Sequence, residues 1–212
     1  MFIFCIMASS IMNRSVNILK TTLAQQDSRQ VHNWKDSIFS GIEKLEKNNV
    51  GVFGETLFQD LCERSSIPSD VNGTKTKKRG GGDGDGIVNG FSVEVKTAMI
   101  GNSGTFQHEL GEIPYKYNKF AFIDIEPTGY YLTILDNNLT EEEYKNGGRF
   151  IAFPNKKITW RKEKGAFKFD TSPKLNDIAI ELGYSIFITQ ETPDESIFEF
   201  IQRIFQTNNS EI

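Results

Sequence analysis

The spacing of apolar positions changes period several times along this chain, and each change marks a predicted element. Residues 15–48 carry helical spacing in two pieces, broken at Asp27-Ser28. In GVFGETLFQDLCERSS, the residues Val52, Phe53, Leu57, Phe58, Leu61 and Cys62 recur at helical spacing and predict a helix with Glu55 at the margin of its apolar face. A polar loop rich in glycine and lysine spans 65–82. Two runs dense in aromatic and β-branched residues, KFAFIDI at 119–125 and YYLTIL at 130–135, read as strands joined by a Pro127-Thr128-Gly129 turn. Thr140 followed by acids opens a short helix over 138–144. Residues 149–153 and 166–169 are shorter strand candidates, 175–182 is helical, and 184–189 is a further strand. The last element, 196–205, has an apolar face of Ile197, Phe200, Ile201 and Ile204, assigned to the core rather than to a dimer contact. Strands mixed with helices in this order predict an α/β fold, a central mixed β-sheet flanked by helices. The expectation is one domain over 1–212, with an N-terminal helical segment (1–48), a core (49–190) and a C-terminal helix (191–212).

One stretch carries chemistry as well as fold. In DGIVNGFSVEVK, Asn89-Gly90 is the hairpin dipeptide that tolerates positive φ at both central positions of a type I′ turn. If Val88 pairs with Phe91, the ladder sets Ile87 opposite Ser92, Gly86 opposite Val93 and Asp85 opposite Glu94, with facing Cβ atoms roughly 5 Å apart. Alternation then puts Asp83 on the face of Asp85, opposite Lys96, and Lys96 on the face of Glu94. Two carboxylates so placed repel unless one is protonated or a cation lies between them. Magnesium suits such a pair, because it takes a few carboxylate oxygens and keeps positions for water and phosphate. A lysine beside it orients or deprotonates a water, or neutralises phosphate charge.

Other readings of the glycine-rich segment fail on spacing. An EF-hand loop begun at Asp83 reaches Asp85 and Glu94 in register, but Ile87 and Val88 occupy positions that need a ligand and a glycine. RGGGDGDG lacks the Gly-Lys-Ser/Thr ending of a P-loop. Cys5 and Cys62 are the only cysteines, with no zinc-ligand spacing and no disulfide framework, which points to a reduced, cytoplasmic protein. The opening MFIFCIM is too short to span a bilayer and has no basic lead, so no membrane role is expected; it reads as an appendage or as an upstream start before Met7 or Met12. With 38% hydrophobic and 25% charged residues the composition is that of a globular protein, although 17 phenylalanines is a generous number. A net charge of −4 gives no bulk attraction for nucleic acid, so any such partner must use local basic patches. Two candidates are Lys75, Lys77, Lys78 and Arg79 before the glycine run, and Arg161, Lys162 and Lys164 beside Trp160.

An acid at the head of a hairpin followed by Glu-x-Lys on the return strand resembles the signature of the PD-(D/E)XK nuclease superfamily. Position by position, Asp85 matches the first acid, Glu94 the second and Lys96 the lysine, while Gly84 stands before Asp85 in place of proline. The resemblance implies a restriction-endonuclease-like core and a Mg2+-dependent endonuclease acting on DNA. Its nearest form is a type II restriction enzyme, a homodimer on a short palindrome in double-stranded DNA. The same superfamily offers a Holliday-junction resolvase, a repair endonuclease or an exonuclease, and a catalytically silent DNA-binding domain is the reading from another class. By the same resemblance Glu55 matches a helix glutamate that often joins the metal with Asp85 and Glu94, or else is a first-turn glutamate favoured by the helix dipole. Gln107 matches a polar residue that contacts the scissile phosphate or the lysine, with His108 as a possible base. Lys78, Arg79, Lys116, Lys119 and Arg161 are the candidate DNA contacts, and 155–164 is the candidate groove-reaching loop.

Overall fold

The computed structural model describes residue 21 and residues 34–71, 84–111 and 113–206. Residue 21 is helical, and the rest of the predicted helical span 15–33, the patch at Lys75, Lys77, Lys78 and Arg79, and Asp83 lie outside the described residues. Residues 34–46 do not continue a helix. They form turns and one 3-10 turn, Ile42–Lys44, before helix α1, Lys47–Arg64, begins.

Strands β1 (Ser69–Val71), β2 (Gly86–Val88), β3 (Phe91–Met99), β5 (Lys119–Glu126), β6 (Gly129–Asp136) and β9 (Ser185–Ile188) build a six-stranded sheet in the order β1-β2-β3-β5-β6-β9. Only β3 and β5 run parallel, so the sheet is mixed. Strand β4 (Phe106–Glu109), with β7 (Thr159–Arg161) and β8 (Ala166–Thr171), makes a second, antiparallel sheet in the order β4-β8-β7. Helices α2 (Glu141–Lys145), α3 (Pro173–Glu181) and α4 (Asp194–Phe205) follow later in the chain. None of the helices among the described residues is long and apolar enough to cross a membrane.

Strand β5 shows why the sequence KFAFIDI has no polar alternation: both of its faces are covered. Ala121, Ile123 and Ile125 pack with Phe58 of α1 and with Ile201 and Phe205 of α4. Phe120 and Phe122 point the other way, into a second core with Tyr144, Phe150, Phe153, Phe167 and Phe169. That second core is where the phenylalanines are used, ring against ring; Phe120 and Phe122 stack at 5.6 Å and Phe150 meets Phe169 edge-on at 5.0 Å. Residues 149–153 supply it from a turn, with Phe153 N–H donating to the Phe150 carbonyl, and not from the predicted strand. Phe150, Ala152 and Phe153 are buried and Ile151 is exposed, so the alternation was real but had no partner strand to pair with.

Helix α2 starts as expected at Thr140, which accepts from Glu143 N–H while the Glu143 carboxylate takes the Thr140 N–H, a complete capping box. Helix α1 presents its predicted face except at one position: Phe53, Leu57, Phe58, Leu61 and Cys62 all pack in the core with β5. Val50, Gly54, Phe58, Leu61 and Cys62 are buried, whereas Val52 is 55% exposed. Burial pushes the Cys62 thiol up to about 12, leaving it unreactive. Gly54 is where the helix meets β3. A Cβ there would overlap the Thr97 hydroxyl and lie 2.8 Å from Thr97 Cβ, so the helix can approach β3 only where it has no side chain. Gly54→Ala is therefore expected to lower the urea midpoint, the overpacking cost of about 1–3 kcal/mol exceeding the gain of up to about 1 kcal/mol from helix propensity. Adding Thr97→Ala is expected to recover it; a midpoint unchanged by Gly54→Ala would refute the close approach.

Candidate active site

The predicted hairpin forms in the predicted register: Val88 pairs with Phe91, Ile87 with Ser92 and Gly86 with Val93. Asn89 and Gly90 take φ of 46° and 83°, as a type I′ turn requires. The ladder stops at Gly86, however, so Asp85 does not sit in an antiparallel pair with Glu94. Gly84, at φ 63°, bends the chain into a bridge against Val93, so close that a Cβ would lie 2.9 Å from the Val93 carbonyl carbon. Beyond that bend the Asp85 N–H donates to the Val93 carbonyl at 2.9 Å, and the Asp85 carboxylate accepts from the Val95 N–H at 2.8 Å. The first acid is thus clamped to β3 at two points.

The alternation of β3 then separates chemistry from core. Val93 and Val95 pack into the first core, below α1 and α4. Glu94 and Lys96 pair in register with Phe120 and Phe122 of β5 and share their face, toward the second sheet. They line a cleft of about 400 Å³ with Glu109, Ile113, Tyr117 and Lys164. Glu94 is 8% exposed, and its Oε1 lies 2.5 Å from Lys96 Nζ.

Electrostatics mark this cluster out. Burial raises the Asp85 carboxyl above the ordinary carboxylate range, against the lowering effects of Lys96 and the Val95 N–H. Burial likewise raises Glu94, with Asp85 and Glu55 pushing in the same direction and Lys96 opposing. Burial alone would lower Lys96, but Glu94, Asp85 and Glu55 outweigh it and hold the ammonium above its usual range. Tyr117 is pushed up to about 12 by burial and then by Glu94 and Asp85, so its phenol stays a hydrogen-bond donor. Tyr117 belongs to the site without any sequence signal; nothing in PYKYNKF distinguishes it from Tyr115.

Three negative charges, Asp85, Glu94 and Glu55, therefore act around one ammonium, and a divalent cation would restore balance. Among the described residues no set of three or more His, Cys, Asp or Glu side chains converges as a metal-ligand group. Asp85, Glu94 and Glu55 are the acids whose charges act on Lys96. Two carboxylates suit magnesium, which keeps several waters.

The remaining predicted residues fall in different places. Gln107 is exposed on β4 and lines a neighbouring cleft of about 560 Å³, not the one that holds Lys96. His108 is buried, with Nε2 2.8 Å from Asp124 Oδ1. Lys119 is a correction: its side chain is 5% exposed, lies 4.7 Å over the Phe91 ring and pairs with Asp136, because position 119 shares the helix-covered face of the sheet. Lys116 is exposed in the 3-10 turn Pro114–Lys116. Arg161 pairs with Glu163 at 2.9 Å on β7, and the proposed groove-reaching loop over 155–164 thus contains an edge strand. Trp160, 40% exposed, leans on Phe167 with ring centroids 4.6 Å apart. No protein-family model, curated protein or solved structure matches the chain, and its functional reading rests on the clamped Asp85, Glu94 and Lys96 themselves.

Proposed function

We propose that this chain is a magnesium-dependent nuclease that hydrolyses DNA phosphodiester bonds at Asp85, Glu94 and Lys96. The observation that carries the proposal is a pair of carboxylates, raised by burial, beside a lysine held as an ammonium, with Glu94 and Lys96 lining an open cleft. In its most specific form the enzyme is a type II restriction endonuclease of the PD-(D/E)XK kind, with a restriction-endonuclease-like core, acting as a homodimer on a short palindrome.

Asp85 and Glu94 would hold the ion, Asp85 kept in place by the Val95 N–H. When bound, magnesium supplies Lewis acidity toward the phosphate and lowers the pKa of a water. Lys96, paired with Glu94, would position or deprotonate the attacking water and neutralise charge on the phosphoryl oxygens. Tyr117 offers an O–H donor from the cleft wall. Glu55 adds negative charge that strengthens cation capture.

Incubation of purified protein with plasmid DNA, in magnesium and in EDTA, tests the reading. Discrete fragments in magnesium alone are expected, with Lys96→Ala protein uncut but still DNA-bound. A smear would replace the site-specific form by an exonuclease or nonspecific nuclease, and intact DNA under both conditions would overturn hydrolysis.

A further inference from the structure

The exposed face of the second sheet is polar in a way that a surface sheet does not require. Alternation leaves Phe106 and His108 of β4 buried and turns Gln107 and Glu109 outward. On β8, Lys168 lies directly opposite Glu109 and Asp170 opposite Gln107; on β7, Thr159 faces Lys168 and Arg161 faces Ala166. Lys47, at the start of α1, closes the other side of the cleft of about 560 Å³ that this face lines.

Cations dominate that cleft. Lys47, Arg161, Lys164 and Lys168 line it against Glu109, and even with Glu163 and Asp170, the partners of Arg161 and Lys168, cations lead by four to three. In a chain of net charge −4 this is a local reversal of sign, and concave walls concentrate it. Glu109 lies within it, 2.7 Å from Lys164, and its carboxyl is held low by that hydrogen bond and by Lys164, Arg161 and Lys47. Glu109 and Lys164 also line the cleft of Glu94 and Lys96, so the two clefts meet at this ion pair.

We propose that this face, with Lys47, is a phosphate-binding track for the backbone of duplex DNA leading to the Lys96 cleft, and that Glu109 is its internal counter-ion. The track rests on the nuclease reading. At Arg161, Lys164 and Lys168 a phosphate replaces the internal acid, Glu163, Glu109 or Asp170, as partner of a cation that is already positioned, while Lys47 and the Gln107 amide add further donors. Glu109 holds Lys164 in place until a phosphate takes over.

The test reads binding, separately from cleavage. In Asp85→Asn protein, affinity for a labelled duplex is measured by fluorescence anisotropy over a range of KCl. Lys47→Ala, Arg161→Ala and Lys168→Ala are each expected to weaken binding and to flatten the slope of log K against log[KCl] by about 0.9. Glu109→Gln is expected to tighten binding. Arg64→Ala, about 26 Å along α1 from Lys47 at 1.5 Å per residue, is expected to change neither. Unchanged slopes in the three cation variants, an equal loss with Arg64→Ala, or binding confined to single strands would overturn the track. Flattened slopes with uncut plasmid would retain the track and remove the nuclease; cut plasmid with unchanged slopes would do the reverse.

Discussion

Asp85→Asn is expected to abolish cleavage and, in the same protein, to raise stability at neutral pH without metal. Folding lifts the Asp85 and Glu94 carboxyls above their ordinary range, burial being the first cause for each. Between the unfolded carboxylate pKa of about 4 and the higher folded values, the native state binds more protons than the unfolded chain. Stability therefore falls as pH rises through that window and stays reduced at pH 7. Asparagine can still accept the Val95 N–H bond while removing the charge. In EDTA at pH 7 a gain on the order of 1 kcal/mol is expected, a Tm higher by about 2–4 °C for a chain of this size. The difference should vanish below pH 4, where the wild-type acids are protonated. Cleavage should fall by about 10³-fold or more, and the rise in Tm with magnesium expected of the wild type should be lost. A variant less stable than wild type in EDTA, or one that cuts at the wild-type rate, would remove Asp85 from the cation site.

Asp124→Ala is expected to give the largest loss of stability. Asp124 is fully buried on β5 and takes three hydrogen bonds from three elements: His108 Nε2 at 2.8 Å on β4, Thr171 Oγ1 at 2.5 Å on β8 and Asn176 Nδ2 at 2.8 Å on α3. It is the polar link between the central sheet and the second sheet. Removing it strands those groups in a sealed interior and costs about 3–5 kcal/mol. That is a large share of a total stability of roughly 5–15 kcal/mol. A thermal melt should show a Tm lower by roughly 6–20 °C. Hydrogen exchange should show β4 and β8 losing protection first, since their hold on β5 is the link removed. A melt within about 2 °C of wild type would show that aromatic packing alone docks the second sheet.

The parts of the site that were legible in advance share one property: they depend on neighbours in the chain. Asn89-Gly90 dictates its own turn, the turn dictates the register, and the register with two-residue alternation puts Glu94 and Lys96 on one face. Where the reading failed, a distant group had intervened. Asp85 was displaced from its ladder by the bend at Gly84 against Val93. Lys119 was drawn under α4, to the Phe91 and Phe205 rings and Asp136. Gln107 was carried into a second sheet whose strands lie some 60 residues apart in the chain, and no local pattern announces that pairing.

Periodicity, turn chemistry and capping by themselves determined the hairpin, the doubly buried β5, its partner β6 and the start of α2 at Thr140, because each acts over a few residues. Tertiary structure alone decided that α1 would approach β3 through Gly54, that residues 149–153 would fill a core without pairing, and that Tyr117, Glu109 and Lys164 would wall the cleft of Lys96. Those outcomes turn on which surfaces meet, and burial and charge balance are summed over the whole molecule rather than along the chain.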